Sequence, residues 1–219
     1  MIPKRMGMGT MTGDANGGSG GNGLAISRLK LLLVFALFAA PLAVAWIFHA
    51  NPQWVPKAVT NHGTLVRPAR PLKTSGLRKP DGKPLQASYL QGKWTLLYIG
   101  GARCRKICRH KLYDTRQIRT ATGNNRQRVQ RLYVRTGRPD PGALRRLARA
   151  HPDLTVAVTR PGSPFLAQFR FGADDDPVSA HRLYIVDPHG NLMMRYPDDF
   201  KPQGMLKDLT HLLRVSQIG

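Results

Sequence analysis

The sequence predicts an α/β domain, a mixed β-sheet flanked by helices, preceded by one transmembrane helix. Three features lead there: an uncharged apolar run at residues 31–48, a later alternation of apolar runs with helix-period stretches, and a closing pair of strands joined by a tight turn. A chain of 219 residues suits one domain with a sizeable core plus an anchor. Lys and Arg number 34 against 12 acids, every one of them Asp, for a formal charge of +22. That imbalance draws a protein toward anionic lipid, acidic protein faces or nucleic acid and says nothing about fold. With only two cysteines, a disulfide-stapled scaffold is excluded.

Residues 1–23 hold Gly, Met, Ser, Thr and Asn with almost no large apolar side chain, too little to offset the entropy of ordering. A disordered tail over 1–28 is expected. The run LLLVFALFAAPLAVAWIF at 31–48 reaches roughly 27 Å as a helix, close to the thickness of a hydrocarbon core, and Trp46 stands where an interfacial aromatic would. The competing reading is a cleaved signal peptide ending near Ala43-Val44-Ala45. Trp46-Ile47-Phe48 carry the apolar run past that site, and Pro41 is tolerated in a membrane helix, so an anchor over 29–49 is favoured. Lys4, Arg5, Arg28 and Lys30 on the short flank keep the N-terminus cytoplasmic. The rest is then periplasmic, on a bacterial inner membrane.

Residues 50–84 are rich in Pro, Lys and Arg with singly scattered Leu65, Val66, Leu72 and Leu77, and predict an extended stalk, with short strands on the domain edge as an option. The globular domain is expected over 85–219. Its pattern predicts a strand at 94–99, a helix at about 105–122, a strand at 129–134 and a helix at 141–150. A strand at 154–159, a helical turn at 164–169, a strand at 182–186, a turn at Asp187-Pro188-His189-Gly190, a strand at 192–196 and a helix at about 204–215 complete it. No Gly-rich nucleotide motif and no hydrolase elbow occurs.

The chemistry-bearing segment is YIGGARCRKICRH at 98–110. A buried strand runs into two glycines; Cys104 opens the next helix and Cys108 follows one turn on, so the two sulfurs can converge. Free N–H groups at the helix start, together with Arg103, Arg105, Lys106 and Arg109, favour a thiolate, and Cys104 is expected to be the more acidic thiol. The bland alternative, two small buried hydrophobes, suits a cysteine on an apolar stripe better than one at a charged strand-to-helix junction.

From Gly92 onward the chain resembles the Sco/SenC branch of the thioredoxin superfamily, membrane-anchored proteins that serve cytochrome c oxidase assembly by binding copper or by reducing the cysteines of the oxidase copper site. The resemblance rests on the single anchor, the GKWTLLYIG strand ahead of a C-x-x-x-C, and the late HRLYIVDPHG segment. It implies a thioredoxin-like sheet, Cys104 and Cys108 as the working pair, and Cu(I) held by both sulfurs with a histidine. Three departures stand out. Arg109 replaces the Pro that usually follows the second Cys, Ser179 occupies the position of the copper-ligating His, and the acidic residues near the metal have no clear counterpart. His181, two residues on, shares a face with position 179 and is the candidate third ligand. Two thiolates and an imidazole suit Cu(I), while a strand-end His bonded to backbone is the equal alternative. His189 is expected to face water and His110 another side of the helix; His49, His62, His151 and His211 are expected at surfaces.

Between Arg103 and Arg149 fifteen Lys or Arg stand against Asp114 and Asp140. For single charges a solvated face is the ordinary explanation. A bias this one-sided predicts docking on anionic lipid or an acidic oxidase subunit, and export without interleaved aromatics argues against nucleic acid. The expected function is assistance to cytochrome c oxidase assembly, as a thiol-disulfide oxidoreductase, a copper chaperone, or both. The alternative is a non-catalytic scaffold that holds oxidase subunits or lipid by its basic face.

Overall fold

A computed structural model describes residues 20–51, 61–138, 140–216 and 218. Most of the expected tail and the first part of the expected stalk lie outside them. The chain falls into two units, residues 1–58 and 59–219.

In the first unit, α1 (Gly20–Ala50) is one helix, and its stretch Arg28–Ala50 is long and apolar enough to cross a membrane. Leu31, Phe35, Phe38, Leu42 and Trp46 are all exposed, as suits side chains whose solvent is lipid. The helix starts ahead of the expected boundary at 29. Once nucleated, an apolar helix extends cheaply through Leu24, Ala25 and Ile26.

The second unit is a six-stranded mixed sheet in the order β1-β6-β5-β2-β3-β4. Its strands are β1 (Thr64–Pro71), β2 (Trp94–Gly100), β3 (Val129–Thr136), β4 (Leu154–Thr159), β5 (Leu183–Val186) and β6 (Asn191–Tyr196). β2, β3 and β4 are parallel, and β5, β6 and β1 add antiparallel to one side. The helices are α2 (Lys106–Ala121), α3 (Pro141–Ala150), α4 (Pro164–Ala167) and α5 (Pro202–Val215). β2 is buried along its whole length because both faces are covered, which is why it reads as a continuous apolar run. Leu97 and Ile99 face one layer; Trp94, Leu96 and Tyr98 face the other. α2 and α5 close the second layer with Cys108, Leu112, Ile118, Met205, Leu209 and Leu213.

The first layer corrects the expected stalk. Leu77 (1 % exposed) and Leu85 (2 %) are core residues beside Phe165 and Phe169. The irregular segment that carries them is stitched to β4 by Arg78 N–H to Val158 O (2.9 Å) and Val158 N–H to Arg78 O (2.7 Å). β1 is a sheet edge, where Pro68 and Pro71 need donate nothing. Its start is anchored by Asp208 on α5, whose carboxylate accepts the His62 and Gly63 N–H groups and the Tyr196 hydroxyl, each at 2.9 Å. A Cβ on Gly63 would lie 2.5 Å from the Tyr196 ring, so only glycine fits.

Behind α2 lies Arg131, wholly inaccessible. Its Nε donates to Thr115 Oγ1 (3.1 Å), Nη1 to Asp153 Oδ1 (2.9 Å) and Nη2 to the Leu112 carbonyl. Burial pushes the guanidinium pKa down, against the opposing pull of Asp153. Breaking a pair of this kind is costly because the second charge stays buried, so the contact clamps α2 onto the sheet.

If residues 61–84 are part of the core, Leu77→Ala lowers the unfolding free energy by about 2–5 kcal/mol, read from urea unfolding of the detergent-solubilised chain. A stability unchanged from wild type would return this segment to a stalk.

Candidate functional site

The site is built where β2 ends. Tyr98 and Tyr133, on adjacent strands, stack with centroids 5.6 Å apart, and a Cβ on Gly100 would come within 3.1 Å of one ring and 3.2 Å of the other. Glycine lets the chain leave the sheet here and turn toward α2. Burial pushes the Tyr133 hydroxyl up to about 12 and raises that of Tyr98 as well, so both stay neutral phenols at ordinary pH. Tyr133 donates to the Gly101 carbonyl at 3.4 Å.

Arg105, extended at φ −84, is the N-cap of α2 and gives no side-chain cap. The N–H groups of the first turn, those of Lys106, Ile107 and Cys108, therefore have no side-chain acceptor at the cap. Cys104 stands just before the cap rather than at the helix start, and Cys108 is the third helical residue. Their Cα atoms are 5.1 Å apart and a disulfide joins them. The pair differs in access. Cys108 is 5 % exposed among Leu112, Tyr98 and Ile118, while Cys104 is half-buried on the wall of an open cleft with Arg103 and Arg109.

His181 sits beside the site's tyrosine. Its backbone is left-handed, φ +47, and its Nδ1 lies 3.3 Å from the Tyr98 hydroxyl. Among the described residues no three His, Cys, Asp or Glu side chains gather as a metal site. Ser179 is exposed, and the left-handed residue at 181 means that simple alternation from position 179 does not by itself fix where the His181 ring points. His189 is exposed at its turn, and His110 is exposed 3.6 Å from Asp114. Sequence reasoning missed Arg135, which is buried at 7 % exposure on the same cleft. Its signal was present: Arg131, Tyr133 and Arg135 alternate along β3, so the two arginines lie on the face that Tyr133 shares with α2.

Residues 94–216 match the family model described as "Transmembrane-like, thioredoxin-like, C-terminal domain", and the chain belongs to that family. Among solved structures it is similar to apo Sco1 from Thermus thermophilus, at 26 % identity and TM-score 0.55 over 69 % of this chain and 96 % of that one. The copper-bound ScoI of Arabidopsis thaliana matches at 19 % and 0.52, over 70 % and 99 %. BsSco, described with a disulfide switch and as a member of the Sco family of cytochrome c oxidase assembly proteins, matches at 12 % and 0.52, over 70 % and 99 %. No curated protein sequence matches. The fold is therefore Sco-like within the thioredoxin superfamily, carried behind a single N-terminal membrane anchor.

The unequal access of the two sulfurs sets an order of reaction. After reduction, a limiting amount of iodoacetamide is expected to modify Cys104 first, as seen by peptide mass spectrometry; modification of Cys108 first would contradict the geometry.

Proposed function

We propose that this chain is a thiol-disulfide oxidoreductase of the periplasmic face of a bacterial inner membrane, acting in cytochrome c oxidase assembly, with Cys104 attacking and Cys108 resolving. The observation that carries the reading is one sulfur on an open, arginine-lined wall bonded to a second sulfur sealed in the core. In the reduced chain the Cys104 thiolate attacks one sulfur of a partner disulfide, and the other partner sulfur leaves as thiolate. Cys108 then gives up its proton and attacks the Cys104 sulfur, releasing the partner as a dithiol. Two electrons and two protons pass to the partner, and this chain ends in the disulfide form described above. A second exported dithiol protein returns it to the reduced state by the reverse exchange.

The uncapped first turn of α2 and the charges of Arg103, Arg105, Lys106 and Arg109 favour the thiolate, which is the reactive form. Support for the oxidase setting comes from the Sco-like fold and from what is said of BsSco. Copper would be cargo rather than a resident cofactor. Two thiolates are soft donors suited to Cu(I), although among the described residues no group of three His, Cys, Asp or Glu side chains gathers as a metal site. α1 would tether the domain to the membrane.

Full-length Cys108→Ser, incubated with a purified oxidase subunit whose copper-site cysteines are oxidised, is expected to accumulate a mixed disulfide through Cys104. The Cys104→Ser, Cys108→Ser chain should give none. No adduct with the single variant would leave the basic scaffold as the better account.

A further inference from the structure

Between the loop carrying Cys104 and α3 lies a cleft of about 890 Å3. Its walls bear five arginines, Arg103, Arg109, Arg135, Arg138 and Arg146, against one acid, Asp140. That acid is already engaged. Oδ1 accepts the Gly142 N–H at 2.9 Å as the cap of α3, and Oδ2 lies 3.9 Å from Arg146. Among the described residues the other four arginines face no carboxylate within ion-pair distance.

Arg135 distinguishes this cleft from a solvated basic surface. It is 7 % exposed, its Nη2 donates to the Arg138 carbonyl at 3.1 Å, and its Nε is buried with no partner among the described residues. A buried cationic donor left unmatched is unfavourable and is ordinarily satisfied by an acceptor. His151, on the same cleft, likewise buries Nδ1 without a partner. Half-buried Leu144 and Leu147 of α3 supply an apolar floor.

The geometry points to an acidic peptide segment of the disulfide-bearing partner as the occupant of this cleft, its carboxylates on the arginines and its apolar side chains on Leu144 and Leu147. The inference rests on the exchange function above and specifies what the partner presents beside its disulfide. An extended segment fits better than a small anion because the guanidinium groups come from three separate stretches: the loop leading into α2 with the first turn of α2, the end of β3 with the loop after it, and α3. The apolar floor extends the binding surface beyond those charges.

The test uses the full-length reduced chain in neutral detergent and measures exchange rates with four disulfides. These are a synthetic peptide with Asp on both sides of its cystine, the same peptide with Ser, glutathione disulfide, and uncharged hydroxyethyl disulfide. The Asp peptide should outrun the Ser peptide by about tenfold or more at low salt, the lower end of electrostatic steering, with the ratio falling toward one as salt is added. In Arg138→Ser, Arg146→Ser, two exposed positions, the ratio should collapse toward one; Arg135→Met should lower it as well. An Asp-to-Ser ratio near one in wild type would overturn the inference, as would glutathione disulfide matching the Asp peptide. If hydroxyethyl disulfide itself fails to react with Cys104, the exchange function has failed instead. Salt-sensitive binding of a cysteine-free Asp peptide, read by fluorescence anisotropy and lost in the double variant, would then still support the cleft, and its absence would reject it.

Discussion

The site depends on holding two sulfurs together across the first turn of α2 while giving them different exposure. Cys108 is fixed because its side chain is part of the core, packed with Leu112 and Ile118 against β2. Cys104 is positioned by the chain leaving β2, which passes the stacked Tyr98 and Tyr133 at Gly100, where a Cβ would crowd both rings. Neither cysteine could be moved without repacking the layer beneath it. Interiors packed at crystal-like density give such constraints two settings rather than a continuum.

Arg131 extends the same constraint. A guanidinium buried behind the cysteine-bearing helix fastens one of its turns, through the Leu112 carbonyl and Thr115, to Asp153 at the head of β4. Burial pushes the Asp153 carboxyl up, but Arg131 and Arg119 more than offset this and hold it below the usual range. By linkage the resulting stability is present above the ordinary carboxylate pKa of about 3.9 and is lost as pH falls through the lower folded value. At the neutral pH where exchange operates, the clamp on α2 is fully engaged.

How much of this was legible beforehand follows from which signals are periodic. The strand at 94–99 stands out as an unbroken apolar run, the amphipathic helix after it by its 3.6-residue period and the D-P-x-G turn by its fixed spacing, and the sheet follows from them. The C-x-x-x-C pair was legible because its function is local to one helical turn. Leu77 was not, since it covers the sheet from irregular backbone in a Pro- and Lys-rich segment with no period to detect. The contact of His181 with Tyr98 was not legible for a related reason: a single left-handed residue redirects a side chain in a way that extended-strand alternation cannot foresee. The buried arginines were obscured by the reasonable assumption that charges face water.

Attack by Cys104 depends on its thiol ionising easily once the disulfide opens. Absorbance at about 240 nm, followed against pH in the reduced Cys108→Ser chain, reports thiolate formation directly. The expected midpoint lies below the ordinary cysteine value of about 8.5 and moves upward when Arg103 and Arg109 are replaced by Ser. A midpoint at or above 8.5, indifferent to those replacements, would contradict it.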